Sequence, residues 1–80
     1  MEIQKIITDF LLREIIHDHE SIDASENLIE SGLLDSIQIV KLIMFMERQF
    51  HISFEEEDML PKNFETLYNM VDFVNRKSEI

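Results

Sequence analysis

The sequence predicts an all-α fold: a small bundle of three main helices and one short helix, with a long loop between the first two. Three observations carry that prediction. The 80 residues include one Gly and one Pro, too few for a turn-rich β-sandwich. Apolar residues recur at i, i+3, i+4 spacing over separate segments, the period of a helix with one buried side. Two capping-box patterns, Asp35-x-x-Gln38 and Ser53-x-x-Glu56, mark where helices begin. The length fits a single domain over 1–80. A chain this short buries only about 60% of its unfolded surface, enough for one core but not for a deep active-site cavity as well.

The first helix spans Ile3 to Ile16, with Ile3, Ile6, Ile7, Phe10, Leu11 and Ile15 on one side and Gln4, Lys5, Asp9 and Arg13 on the other. From His17 to Ser31 the period is lost, and the isolated apolar residues Ile22, Leu28 and Ile29 serve to pin a long loop onto the bundle. Loops of this length are uncommon in small domains and usually functional. The second helix runs from Ser36 to Phe50, with Asp35 as its N-cap and Gln38 reaching back to the cap. Ile39, Leu42, Ile43, Met46 and Phe50 form its core stripe. Ser53-x-x-Glu56 opens a short helix that ends before Pro61, since proline restricts the residue ahead of it. Asn63 caps the last helix, Phe64 to about Arg76, with Phe64, Leu67, Val71 and Val74 inward and Lys77 near the C-terminal dipole.

Composition narrows the function. Seven Lys and Arg against seventeen Asp and Glu give a net charge of −10. No Lys or Arg falls between Arg13 and Lys41, where Glu14, Asp18, Glu20, Asp23, Glu26, Glu30 and Asp35 all lie. Such a surface repels nucleic acid and anionic membranes and attracts basic protein partners, although acidity also serves solubility alone. Without Cys there is no disulfide, no thiolate zinc site and no cysteine nucleophile. The N-terminus lacks the form of a signal peptide, and no apolar run approaches the roughly 18 residues of a membrane span. The expectation is a monomer of the reducing cytoplasm, with neither nucleic acid nor membrane insertion.

The second helix carries a second stripe. Ile37, Val40 and Met44 lie on a different side from the core stripe and run into Glu47 and Arg48. Exposed apolar residues beside acids mark a partner-binding surface, and Met suits one that must fit several partners. The alternative is that the preceding loop covers Ile37 and Val40. Of the other methionines, Met46, Met59 and Met70 read as core fillers. His51 reads as a half-exposed residue at the helix end.

Ser36 has three candidate roles: helix-end residue, nucleophile or attachment point. The frame Leu34-Asp35-Ser36-Ile37-Gln38 is not the hydrolase elbow G-x-S-x-G, and His17, His19 and His51 show no spacing that marks a base. Catalysis is therefore not expected. An attached phosphodiester makes physical sense there, because a helix's first turn has unpaired N–H groups and the positive dipole end. A flexible loop ahead of Ser36 would keep the hydroxyl reachable. No metal site is expected: His17-Asp18-His19-Glu20 lacks further spaced ligands, and Glu55-Glu56-Glu57-Asp58 lacks the alternating ligands of a calcium loop.

Asp35-Ser36-Ile37, preceded by Gly32-Leu33-Leu34 and followed by Ile39-Val40-x-Leu42-Ile43, resembles the acyl carrier protein family and its D-S-L motif for 4′-phosphopantetheine. Leu28-Ile29-Glu30 is similar to the hydrophobic pair ending that family's first loop. Phe50-x-Ile52 with Phe54-Glu55-Glu56-Glu57-Asp58, and Phe64-x-Thr66-Leu67-x-x-Met70-Val71-x-Phe73-Val74, resemble its later segments. The resemblance covers about Ile3 to Lys77. It implies a four-helix carrier with no catalysis of its own. A phosphopantetheinyl transferase would place the arm of coenzyme A on Ser36, releasing adenosine 3′,5′-bisphosphate. The thiol of the arm would hold acyl or aminoacyl groups as thioesters, and Asp35 would help bind the transferase or its metal. Ile37, Val40, Met44 and Glu47 fall where the family meets its partner enzymes, which load and use the cargo. Lys41 stands where fatty-acid carriers often have an acid, and Gly-Leu-Leu-Asp-Ser looks more like free-standing carriers for amino acids (D-alanine among them) or specialised acyl groups. The competing class is an unmodified acidic helical interaction module using the same surface.

Overall fold

The computed structural model describes residues 2–78. The expected domain 1–80 thus includes Met1, Glu79 and Ile80, which lie outside the described residues. The helices are α1 (Ile3–Glu14), α2 (Ser36–Phe50), a four-residue α3 (Lys62–Glu65) and α4 (Leu67–Ser78), with one 3₁₀ turn at Glu56–Asp58. The architecture is the expected all-α bundle. Helix α4 packs against α1, α2 and α3. Its Leu67, Met70, Phe73 and Val74 join Ile7, Leu11, Leu28, Leu42 and Met46 in one core. The molecule measures 35 × 27 × 20 Å. Since a helix with side chains is about 10 Å across, the bundle is two helices thick, and every helix keeps one side in solvent.

Helix α2 has the predicted bounds and cap. Asp35 Oδ1 accepts the Gln38 N–H at 2.8 Å, and Gln38 Oε1 accepts the Asp35 N–H at 3.0 Å, a closed capping box. At its other end His51 takes a left-handed conformation (φ 55°) that lets the chain turn away, and its side chain is exposed. Phe10 of α1 stacks on Phe45 of α2 at 4.0 Å, joining the two helices along their outer edge.

The structure corrects three local expectations. Helix α1 ends at Glu14, because the Ile16 N–H turns back to the Leu11 carbonyl (2.6 Å) and drops Ile16 into the core. The turn expected from Ser53 is instead flanked by Glu55, whose N–H donates to the Asp58 carboxylate at 2.8 Å. The short helix does end before Pro61, as expected, and Pro61 also precedes a helix: its fixed φ and missing N–H suit the start of α3. The cap of α4 is Thr66, whose Oγ1 accepts the Asn69 N–H at 3.0 Å. Asn63 is buried instead, its Nδ2 donating to the Asp58 carbonyl at 2.7 Å. That break between α3 and α4 shifts the helical phase, so Met70 and Phe73 are fully enclosed while Val71 is only half-buried.

The segment after α2 is fastened at both ends of its path. Phe54 lies between the Phe73 ring (4.5 Å) and the Phe64 ring (5.7 Å), and its N–H donates to Glu47 Oε2 at 2.9 Å. Lys77 Nζ sits 2.7 Å from Asp58 Oδ2. That hydrogen bond holds the Lys77 ammonium above its usual range and, together with the Glu55 N–H, holds the Asp58 carboxyl below its own.

Candidate functional site

The site grows from the turn before α2. The Leu28 carbonyl accepts two N–H groups, from Leu33 (2.9 Å) and Leu34 (3.0 Å), while the Leu28 N–H donates to Glu65 of α3 at 2.6 Å. The Gly32 N–H closes a turn onto Ile29 (3.1 Å), and Gly32 has φ +84°, a conformation suited to a residue without Cβ. Farther back, the Tyr68 N–H of α4 donates to the Ala24 carbonyl at 3.1 Å, and Asp23 Oδ1 accepts both the N–H and hydroxyl of Ser25. Those bonds hold the Asp23 carboxyl below its ordinary value. The segment expected as a flexible lead-in to Ser36 is instead tied at Ala24, Leu28 and Gly32 to the bundle and to itself. Ser36 is reachable for a different reason: Leu34 is buried, and the chain turns outward at Asp35, so Asp35, Ser36 and Ile37 are all exposed.

Ser36 is the first residue of α2. Its N–H and that of Ile37 lie ahead of the helical ladder, at the positive end of the dipole. Beside it opens an apolar groove of about 340 Å³, walled by Ile29, Val40, Ile43, Met59, Leu60 and Phe64. An exposed hydroxyl, unladdered N–H groups and an adjoining apolar channel fit a phosphate-linked arm with an apolar load.

The sequence did not single out Leu60 or Pro61 as groove wall, and it placed Met59 in the core. Met59 is half exposed instead, because the segment after the 3₁₀ turn crosses the open side of α2 rather than the interior. The adjacent apolar pair Met59-Leu60, set between acids and a proline, was the available signal.

The second stripe is open. Ile37, Val40 and Met44 are 75%, 53% and 54% exposed, so the loop does not cover them. Glu47 continues the same side of the helix but is half-buried, its carboxylate engaged with the Phe54 N–H. His17 and His19 lie exposed at the loop start, near Gly32, Leu33 and Gln38, on the far side of the capping box from the groove. Among the described residues no helix is long and apolar enough to cross a membrane.

A helical bundle in which the capped, exposed start of α2 opens beside an apolar groove has the shape to bear a prosthetic arm. The profile of the phosphopantetheine attachment site family matches residues 5–74. An acyl carrier protein of Clostridium perfringens is 32% identical over 73 residues, 85% of this chain and 93% of the relative. Among solved structures, the acyl carrier protein of Thermotoga maritima superposes with a TM-score of 0.73 at 25% identity, covering 94% of this chain and 85% of that one. A chain of a crystal structure described as an FAD-dependent dehydrogenase gives 0.76 at 23% identity, over 85% of this chain and 97% of that one, a likeness of fold alone. The chain belongs to the acyl carrier protein family, with 4′-phosphopantetheine as its prosthetic group. As a family these proteins carry cargo between biosynthetic enzymes and are generally not catalysts themselves.

Proposed function

We propose that Ser36 bears the phosphopantetheine arm and that the outer side of α2 docks the enzymes that attach, load and use it. The observation that carries this is the placement of Ser36: exposed, first in a capped helix, at the mouth of an apolar groove. In attachment by the transferase, the Ser36 oxygen displaces adenosine 3′,5′-bisphosphate from coenzyme A, and its proton passes to a base of the transferase. Asp35 fixes the helix start through Oδ1, and its other oxygen is available to the transferase or its metal. When bound, the group supplies a thiol on a long arm, which holds acyl or aminoacyl cargo as a thioester.

The chain's own residues then position and shelter. The capping box keeps the attachment point at one place on a rigid helix. Val40, Met59 and Leu60 line the groove beside it with apolar surface. Ile37, Val40 and Met44 present apolar area to a partner, and Glu47 supports that side by holding the segment at Phe54. The protein acts as a single-domain monomer of the cytoplasm, where coenzyme A and biosynthetic enzymes meet it.

Intact mass spectrometry before and after incubation with coenzyme A, magnesium and a broad-specificity phosphopantetheinyl transferase tests the assignment. The native chain and Ser31→Ala gain one phosphopantetheine, and Ser36→Ala gains none. Modification of Ser36→Ala, or none of the folded and initially unmodified native chain, would count against it.

A further inference from the structure

Away from Ser36, the α1–α2 seam holds a second groove, of about 220 Å³, lined by Phe10, Glu14, Lys41, Met44, Phe45 and Arg48. Its floor is the stacked Phe10–Phe45 pair. Lys41 and Arg48 stand seven residues apart on α2, with Met44 midway between them, so the two cations flank an exposed methionine along one side of the helix.

The charge here opposes that of the molecule. The chain carries −10 overall, and Lys5, Arg13, Arg76 and Lys77 each lie within 4 Å of a carboxylate of the chain. Among the described residues, Lys41, Arg48 and Lys62 make no such pair, and Lys62 lies away from this groove, beside Asn63 and Asn69. The one carboxylate lining the groove, Glu14, is engaged with Arg13 at 3.3 Å. Lys41 and Arg48 thus place two unpaired cations beside the exposed apolar surface of Met44.

We infer that this groove docks a segment of a partner protein presenting an apolar side chain between carboxylates. The apolar side chain enters over Phe10 and Phe45 beside Met44, and the carboxylates meet Lys41 and Arg48. A second copy of this chain is the poorer occupant, because two bodies of net charge −10 repel as they approach. The inference deepens the docking reading, since Met44 belongs to both surfaces. It names a second contact, opposite in sign to the acidic loop.

The test is an amide chemical-shift titration of the ¹⁵N-labelled full chain with two synthetic peptides. One is a helical peptide with a leucine stripe flanked by glutamates; the other has lysines at those glutamate positions. The acidic peptide shifts Phe10, Lys41, Met44, Phe45 and Arg48, and the basic peptide does not. The Lys41→Glu/Arg48→Glu double variant, with native circular dichroism, binds the acidic peptide about tenfold more weakly, as loss of two exposed charge pairs predicts. Shifts centred elsewhere, equal binding of both peptides, no binding of either, or an unchanged double variant would each overturn the inference. So would concentration-dependent dimerisation of the native chain that the double variant abolishes. Phosphopantetheinylation of the double variant, followed by intact mass, separates failure here from failure of the Ser36 assignment.

Discussion

The two sides of α2 are built from the same kinds of residue and end in different places. Leu42 and Met46 are wholly enclosed, whereas Ile37, Val40 and Met44 stand in solvent. A bundle two helices thick encloses only one side of each helix, so apolarity beyond that stripe does no work for the fold. Burying a Leu contributes about 1.5–3 kcal/mol to folding; Val40 and Met44 forgo about half of such a gain and Ile37 more. Their free energy remains available on contact with a partner.

Substitution breaks this comparison most strongly on the inner side. Leu42→Ala destabilises the fold by about 2–5 kcal/mol, measured by urea unfolding, while Val40→Ala stays within about 0.5 kcal/mol of native. Equal losses at the two positions would show that Val40 is core. On the outer side, Val40→Glu or Met44→Glu leaves helical circular dichroism intact but slows transfer with purified cognate enzymes by about tenfold, the loss of one interface anchor. Unchanged transfer removes the docking role.

Smaller effects test the ends of the site. Asp35→Ala costs about 1 kcal/mol by opening the capping box, read as a lowered urea midpoint. The Asp58–Lys77 pair gives a pH signature. Asp58 is held below the ordinary 3.8, so its contribution is complete above that value and fades as acid titrates it through its lowered pKa. Lys77 is held above 10.5, so its contribution fades only as alkali passes that range. The melting-temperature gap between native and Asp58→Asn chains therefore stays constant from about pH 5 to about pH 9 and closes in acid. A gap independent of acid would assign it to packing.

The sequence made the bounds and cap of α2 legible, because its signals are local: a capping box four residues long and a stripe repeating within the helix. The 55–67 region was misread because its signals are not local. Asn63 looks like a cap until the Asp58 carbonyl folds beneath it, and Thr66 caps only once α3 has stopped at Glu65. Lys77 meets Asp58 across nineteen positions of sequence, a pairing that periodicity does not encode. At the site, the exposed serine and outer stripe were readable. The groove was not, since Met59 and Leu60 reach it only by the path of the chain over α2. The rigidity of the lead-in was also hidden, resting on backbone bonds to the Leu28 carbonyl that are independent of side-chain type.

We propose that the arm sits on Ser36. Peptide-level fragmentation of the enzymatically modified full chain tests it most directly, since Ser21, Ser25, Ser31, Ser53 and Ser78 offer competing hydroxyls. The whole added mass is expected on the fragment containing Ser36 and on no other. Phosphopantetheine on any other serine, with Ser36 unmodified, would contradict it.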